Sequence, residues 1–325
     1  MRIGVVGPVG PDTFADNIVT TLADMGNESV PLGTLSTHRG RYGSAIGRIR
    51  DVLPVLEERA QRHIATAALQ AECEIIINVD QRLTPDIVYR LRRSGIKVAM
   101  WFPDAIVNMR RQLILLARYD AIFFKEPHLV DKVGAFLDLP VFYLPQACNP
   151  RWHYPLVTAG TEPYLVIAGN MYPSRVLLLE RLIANGIPLK LYGSGFPRWL
   201  RETPLRAVHT GRHVVQTEKA RIFRSATAVI NTMHPGEISG VNLRLFEAAG
   251  CGAAVLTEFR PTVPELFSIG DEVLAFHGFD ELVEQAKRLL NDRGLSAKFG
   301  DAAAIRAHES HTYQHRLTKI LEKLC

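Results

Sequence analysis

The sequence has little of what marks secreted or membrane proteins. Its 325 residues include only four cysteines, none in a CxxC pair, and Cys73 and Cys251 lie in apolar surroundings. This usage is typical of reduced thiols in a cytoplasmic protein. No apolar run approaches the roughly 20 residues of a membrane span. The N-terminal stretch MRIGVVGPVG indicates a strand and a turn, not a signal peptide. We therefore expect a cytoplasmic protein.

Motifs for cofactors and metals are missing as well. Gly4, Gly7 and Gly10 do not form GxGxxG, and no acidic residue ends the predicted strand Ser29–Leu32. The absence of this dinucleotide fingerprint disfavours a nicotinamide-dependent dehydrogenase. Three histidines near the C-terminus are not spaced as in HExxH: His308, His311 and His315. Ser310, which lies between them, is better explained as a helix cap. We predict neither a cofactor nor a bound metal.

The charge balance points to an anionic ligand. The net charge is +5 with a pI near 9.1, which suits a phosphorylated ligand or an anionic surface. Because the basic residues are mostly dispersed, we expect no nucleic-acid partner. One local cluster of basic residues comprises Arg39, Arg41, Arg48 and Arg50. It indicates either a solvated loop and helix or a peripheral membrane contact.

Apolar, β-branched runs alternate with helical patterns along the whole chain. Near-continuous apolar runs predict strands buried on both faces of parallel sheets, with helices between them. The first six predicted strands are Ile3–Val6, Ser29–Leu32, Glu74–Val79, Lys97–Phe102, Ala121–Phe124 and Val141–Leu144. The second six are Tyr164–Ala168, Leu189–Tyr192, Ala207–His209, Ala228–Asn231, Ala253–Leu256 and Val273–Phe276. The predicted fold class is α/β.

A proline-rich, aperiodic stretch from Leu144 to Pro155, followed by polar residues to Glu162, predicts a linker. We therefore expect two facing Rossmann-like, doubly wound domains, residues 1–150 and 151–307. A C-terminal helix over residues 308–325 has apolar positions at Leu317, Ile320, Leu321 and Leu324, so it needs a partner surface, and we expect it to pack on the N-terminal domain.

Glycine-containing turns follow several predicted strands. Gly7-Pro8-Val9-Gly10 either lets a substrate approach the backbone or is a plain tight turn. Gly169 and Asn170 begin a second turn, which leads into a helix with Arg175 in its first turn. A cation is unfavourable at a helix N-terminus, so Arg175 is better explained by a shared anion than by an ordinary surface position. Tyr192 and Gly193 begin a third turn, which is either one wall of a base pocket or a flexible loop.

The segment GEISGVNLRLFEAAGCGAAVL, residues 236–256, carries the strongest functional signal. It predicts a glycine-broken loop, a short helix and a buried strand. The loop and the helix N-terminus suit a phosphate, and Glu247 suits a sugar hydroxyl. Arg244 and Glu247 would otherwise form a surface pair worth ~0.2–0.5 kcal/mol, against ~1.5–3 kcal/mol for each charge-assisted bond to a ligand. The predicted phosphate contacts are Ser239, Gly240, Val241, Asn242 and Arg244.

The order of motifs resembles that of GT-B glycosyltransferases, especially the CgeB-like (spore maturation) branch. The motifs of the second half are GN-x-x-x-x-R from Gly169, LYG from Leu191 and N-x-R-x-x-E-x-x-x-C-G-x-x-x-L-T from Asn242. Further matches in family order are WFPD (101–104), YDAIFFK (119–125), YLPQA (143–147) and HTYQHR (311–316). Together they span most of the chain.

The resemblance implies a transferase of the hexosyltransferase type, in which the C-terminal domain holds a nucleotide-sugar donor, and we expect this donor to be UDP-linked. It implies that Glu247 binds the ribose and that Arg175 and Arg244 bind the diphosphate. Retaining relatives often carry Glu-x7-Glu, but the position eight before Glu247 is Ser239. No Asp-x-Asp motif occurs, in keeping with relatives that stabilise the leaving phosphate by arginines and helix dipoles without a metal.

Asp104 is the predicted general base, because it directly follows the strand Lys97–Phe102, where a parallel sheet places ligands. The alternative is that Asp104 only caps a helix over Ala105–Ala117; His128 and Asp80 are weaker candidates. The acceptor is not specified, although the loop 33–47 is a plausible place for it. The rival functions are a nucleotide-sugar epimerase of the same fold and a non-catalytic two-lobed binding protein.

Overall fold

The structure is a computed structural model that describes residues 1–35, 54–109, 113–157, 162–193, 195–196 and 200–325. The chain divides into two compact units. One comprises Met1–Pro145 with Tyr313–Cys325, and the other comprises Gln146–Thr312. The predicted basic cluster Arg39–Arg50 lies outside the described residues, as does most of the predicted acceptor loop 33–47. Within the described residues, no helix is long and apolar enough to cross a bilayer.

The first unit is built on a parallel sheet of six strands in the order β2-β1-β3-β4-β5-β6. Its strands are β1 Arg2–Val6, β2 Glu28–Pro31, β3 Ile75–Asn78, β4 Lys97–Phe102, β5 Ala121–Phe124 and β6 Val141–Tyr143. Its helices are α1 Phe14–Asp24, α2 Pro54–Gln70, α3 Pro85–Arg93, α4 Leu113–Leu116, α5 Pro127–Leu137 and α12 Tyr313–Leu324. The four central strands are buried because helices cover both faces of the sheet, whereas the edge strands β2 and β6 are only partly buried. The core is rich in Ile, Val, Leu and aromatic residues.

The C-terminal helix α12 completes the first unit, where it packs against α1 and β4. The aromatic rings of Phe14, Trp101 and Tyr313 meet edge to face there, with centroids 4.6–5.9 Å apart. Leu317 and Ile320 are fully buried in the same contact. The helix begins at Tyr313 and not at residue 308, because residues 308–310 end the preceding helix of the second unit.

The second unit is a parallel sheet of five strands in the order β11-β10-β9-β7-β8. Its strands are β7 Glu162–Ala168, β8 Leu189–Tyr192, β9 Ala226–Asn231, β10 Val255–Glu258 and β11 Leu274–Phe276. Its helices are α6 Pro173–Ala184, α7 Gln216–Ser225, α8 Leu243–Gly250, α9 Val263–Leu266, α10 Phe279–Asn291 and α11 Arg293–Ser310. Two apolar clusters cover the two faces of this sheet.

The two parallel sheets with interleaved helices confirm the predicted α/β fold class. The predicted strand Ala207–His209 is wrong. Thr203 caps a 3₁₀ helix at Pro204–Ala207, and only His209 forms an isolated bridge, to Leu191. The run is apolar, but proline at the first helical position and the threonine cap favour a helical turn.

Candidate functional site

The candidate site lies where the strand order of the second sheet reverses, between β7 and β9. From β7 the chain crosses to β8 on one side and then returns to β9 on the other side of β7. Such a switch point leaves a crevice at the carboxyl ends of the two central strands, which is where open α/β sheets bind ligands. Gly169 and Asn170 follow β7 there, and Thr232 follows β9. The backbone path alone therefore brings the predicted turn at Gly169 beside Thr232.

Arg175 spans this crevice and is almost fully buried. Its Nε donates to Thr232 Oγ1 at 2.9 Å, and its Nη1 donates to the Asn170 carbonyl at 2.8 Å. Its Nη2 donates to the Tyr172 hydroxyl at 2.7 Å and to the Thr232 carbonyl at 3.1 Å. The guanidinium also lies over the Tyr172 ring, 4.3 Å from its centroid. Arg175 is therefore fixed in position by neutral groups.

The charge of Arg175 is not balanced by a paired acid. Every hydrogen bond that it makes within the described residues goes to a neutral oxygen, and no carboxylate of those residues lies within 4 Å of it. Burial lowers the pKa of its guanidinium, whereas the Tyr172 side chain raises it; the charge of Arg244 lowers that pKa further, and the more distant charges of Glu237 and Glu258 raise it. A buried cation without a paired acid is costly, and an anionic ligand would offset that cost.

Asn242 begins α8 and joins it to the same crevice. Its Oδ1 accepts from the Arg244 backbone N–H at 3.1 Å, which is an N-cap bond, and its Nδ2 donates to the Thr232 carbonyl at 3.0 Å. The Ser239 carbonyl accepts from the Thr262 hydroxyl at 2.6 Å, which fixes the preceding loop. Gly240 and Val241 are buried. The predicted phosphate segment thus lies beside Arg175, with Thr232 as the shared acceptor.

Glu247 is 1% exposed and forms the centre of a buried ionic cluster. Its Oε1 accepts from Lys219 Nζ at 2.6 Å, and its Oε2 accepts from Arg244 Nη1. His153 Nε2 lies 3.9 Å from Oε1. The i,i+3 pair of Arg244 and Glu247 is therefore present, with Glu247 buried and Arg244 partly exposed. Arg244 Nε is buried without a partner within the described residues, so this guanidinium is incompletely satisfied.

Gly169 and Gly193 allow the ends of β7 and β8 to touch. Both have positive φ, 143° and 145°, and the Gly169 N–H donates to the Tyr192 carbonyl at 2.9 Å. A Cβ on Gly193 would lie 2.3 Å from the Gly169 oxygen. Tyr192 is buried, which raises the pKa of its hydroxyl. Close backbone packing accounts for these glycines, and their role in donor binding stays a prediction.

The predicted residues of the first unit have structural partners of their own. A Cβ on Gly7 would lie 2.4 Å from Val79 Cγ2, so glycine is required for packing where β1 turns into α1. Gly10 has room for a side chain, and its N–H donates to the Thr13 hydroxyl at 3.3 Å. Donor contact by Gly7 and Gly10 stays a prediction.

Asp104 is exposed, and its Oδ1 accepts from the Ala105 N–H at 2.8 Å and from Asn108 Nδ2 at 2.9 Å. It therefore braces the 3₁₀ turn Ile106–Asn108. The continuous helix over Ala105–Ala117 is wrong, because helical geometry stops at Met109. Asp80, a weaker base candidate, accepts instead from the Leu35 N–H at 2.7 Å and the Thr34 hydroxyl at 2.8 Å.

Several residues of the site were missed at the level of sequence. Lys219 lies on the apolar face of α7 with Ala220 and Phe223, and a lysine on such a face was the available signal. No sequence signal marked Thr232, Tyr172 or His153, because a polar side chain shows a role in a site only through its tertiary contacts. Two of the three C-terminal histidines contact backbone carbonyls: His308 Nε2 lies 2.9 Å from Gly250 O, and His311 Nε2 lies 2.7 Å from Leu266 O.

Comparison with known proteins agrees with this geometry. Residues 175–322 match the glycosyl transferase-like family model. Spore protein CgeB of Bacillus subtilis (strain 168) is 23% identical over 231 residues, which is 66% of this chain and 71% of that protein. Sucrose-phosphate synthase of Thermosynechococcus elongatus superposes with a TM-score of 0.72 at 12% identity, covering 99% of this chain and 97% of that one. Anabaena HepE, crystallised in complex with UDP-glucose, gives a TM-score of 0.70 at 12% identity over 100% of both chains.

The two parallel sheets have the GT-B fold of these solved structures, and the match over residues 175–322 supports a glycosyltransferase. Within that class the chain is similar to CgeB, which confirms the resemblance found in its motifs. The residues of the second unit that were predicted from those motifs lie in the region of the family match or directly before it.

The buried Lys219–Glu247 pair gives a stability prediction. Lys219→Met would leave the Glu247 carboxylate with fewer charge partners in a buried position, and we expect the free energy of unfolding to fall by about 3–5 kcal/mol. Urea denaturation followed by circular dichroism would measure it. The control is Arg62→Met, which removes an exposed pair with Glu58 and should cost less than about 1 kcal/mol. Equal, small effects of the two substitutions would contradict the buried pair.

Proposed function

We propose that this protein transfers a sugar from a UDP-linked donor to an acceptor, without a bound metal. The observation that supports this most is Arg175, a buried guanidinium whose partners in the described part of the chain are all neutral. A nucleotide diphosphate supplies the anion that such a cation lacks. HepE, a structural relative, binds UDP-glucose, which supports the choice of a UDP-linked donor.

The diphosphate would be held by Arg175, Arg244 and the start of α8. Negative charge grows on the departing phosphate during sugar transfer, and fixed positive groups stabilise it most effectively when they are oriented in advance. Arg175 meets this requirement because four hydrogen bonds fix it. Residues 239–241 would add backbone N–H groups near the helix N-terminus.

Glu247 would accept from the ribose hydroxyls. In the structure its Oε2 is held by Arg244, whose side chain is 22% exposed and so can turn towards a phosphate. Lys219 would then remain on Oε1 and keep the carboxylate charged. Donor binding would therefore exchange one partner of Glu247 for the ribose, while the diphosphate takes Arg244.

Arg244→Gln tests the proposed donor site. Because a charge-assisted hydrogen bond contributes about 1.5–3 kcal/mol, we expect UDP affinity to fall about 10- to 150-fold. Uridine affinity should not fall, because Arg244 competes with the ribose for Glu247 Oε2. Titration calorimetry with both ligands measures this. Arg181→Gln is the control, since Arg181 lies over the Phe279 ring and has no role in the proposed site. Unchanged UDP affinity in Arg244→Gln would refute a diphosphate contact.

Asp104→Asn separates the two roles considered for Asp104. Asparagine keeps the Oδ1 acceptor that braces the 3₁₀ turn, so the fold should persist. If Asp104 is a general base, release of UDP from a UDP-sugar should slow by about 10²-fold or more, with UDP affinity unchanged. Asp86→Asn, at the start of α3, serves as the control. Equal UDP release by the two variants would restrict Asp104 to its structural role.

Metal independence has a direct test. Because arginines are proposed to stabilise the leaving phosphate, release of UDP should proceed at an unchanged rate in excess EDTA. Initial rates with and without the chelator measure this. A loss of rate that magnesium or manganese restores would show that the proposed arginines are insufficient.

A further inference from the structure

We propose that His234 is an additional donor-binding residue, which donates its Nε2–H to a non-bridging oxygen of the donor diphosphate. The inference rests on the proposed function, since it assigns one more contact within the same site. No motif in the sequence singled out His234, and only its tertiary contacts place it there.

His234 lies in the loop between β9 and α8, three residues after the end of β9. Its ring meets the Tyr172 ring edge to face, with the centroids 5.2 Å apart. The guanidinium of Arg175 lies over that same Tyr172 ring, 4.3 Å from its centroid. Tyr172 therefore contacts both side chains, and its ring is the shared neighbour of the His234 imidazole and of the Arg175 guanidinium that is proposed to bind the diphosphate.

The local hydrogen bonds fix the tautomer of His234. Its Nδ1 accepts from the Gly236 backbone N–H at 3.0 Å. A neutral imidazole whose Nδ1 is an acceptor carries its proton on Nε2. Nε2 has no partner within the described residues and is not among their buried unsatisfied atoms. The side chain thus presents one oriented N–H donor to the solvent.

The loop that carries His234 is braced by Glu237. The Glu237 Oε2 accepts from the His234 backbone N–H at 3.0 Å, and the Glu237 N–H donates to the His234 carbonyl at 2.8 Å. Glu237 is 5% exposed, and its carbonyl accepts from Arg260 Nε at 3.0 Å. A loop held by three such bonds keeps the imidazole oriented before a ligand arrives, which lowers the entropy cost of binding.

A phosphate oxygen is the partner that fits this donor best. With Nδ1 occupied, the ring can donate through Nε2 but cannot accept, and non-bridging phosphate oxygens only accept. His308 and His311 of the same unit differ, since each directs Nε2 at a backbone carbonyl 2.9 or 2.7 Å away. Those two histidines are explained by packing, whereas the outward Nε2–H of His234 is not.

Two amide substitutions test the inference. His234→Asn can keep an acceptor for the Gly236 N–H but does not reach as far as Nε2, while His234→Gln can place an amide N–H near the Nε2 position. We expect the asparagine variant to bind UDP about tenfold more weakly and the glutamine variant to recover most of that loss. Uridine affinity should be unchanged in both. His277→Asn is the control, because His277 is exposed and stacks on Phe259.

Calorimetry with UDP and uridine, with thermal melts to verify folding, distinguishes a diphosphate contact of His234 from a role that only supports the loop. Wild-type UDP affinity in His234→Asn, with Arg244→Gln still weakened, would overturn the role of His234 and leave the proposed function standing. Equal loss of UDP and uridine binding in both amide variants would show that His234 only supports the loop. A folded wild-type protein that binds no UDP would overturn both proposals.

Discussion

The site depends on one constraint, a buried positive charge at the point where the second sheet reverses its strand order. Arg175 follows β7, and its principal acceptor Thr232 follows β9. Only the reversal brings these two strand ends side by side. Because the hydrogen-bond partners of Arg175 in the described residues are neutral, the fold holds a cation in place without a directly paired acid, and this favours an anionic ligand.

The rest of the site is arranged around that charge. Asn242 shares the Thr232 carbonyl with Arg175 and so fixes the start of α8 beside it. One turn further, Glu247 is placed between Lys219 and Arg244. A buried carboxylate with two cationic partners can release one of them and remain charged. Glu247 can therefore accept from neutral hydroxyls when Arg244 moves away from it.

The two units differ in how far residue patterns anticipated them. Buried strands were readily predicted, because parallel strands covered on both faces leave continuous apolar runs. The prediction of a strand at Ala207–His209 was wrong, because Pro204 and the Thr203 cap favour a 3₁₀ helix more strongly than the short run favours a strand. The position of Asp104 after a strand predicts either a base or a helix cap, and in the structure its Oδ1 braces a 3₁₀ turn by accepting from Ala105 and Asn108. Gly7 has a packing reason that a turn motif alone does not reveal.

The sequence by itself determined the α/β class, the order of the strands along the chain and the segments that carry Arg175, Arg244 and Glu247. These properties follow from local patterns of apolar residues, glycines and helix caps. The tertiary structure decided which of those side chains share a crevice, which are buried and which have partners. Lys219, Thr232 and His234 belong to the site only because strands and helices distant in sequence meet there. Burial then converts ordinary polar residues into a charged cluster, because removal from water makes each unmatched charge costly.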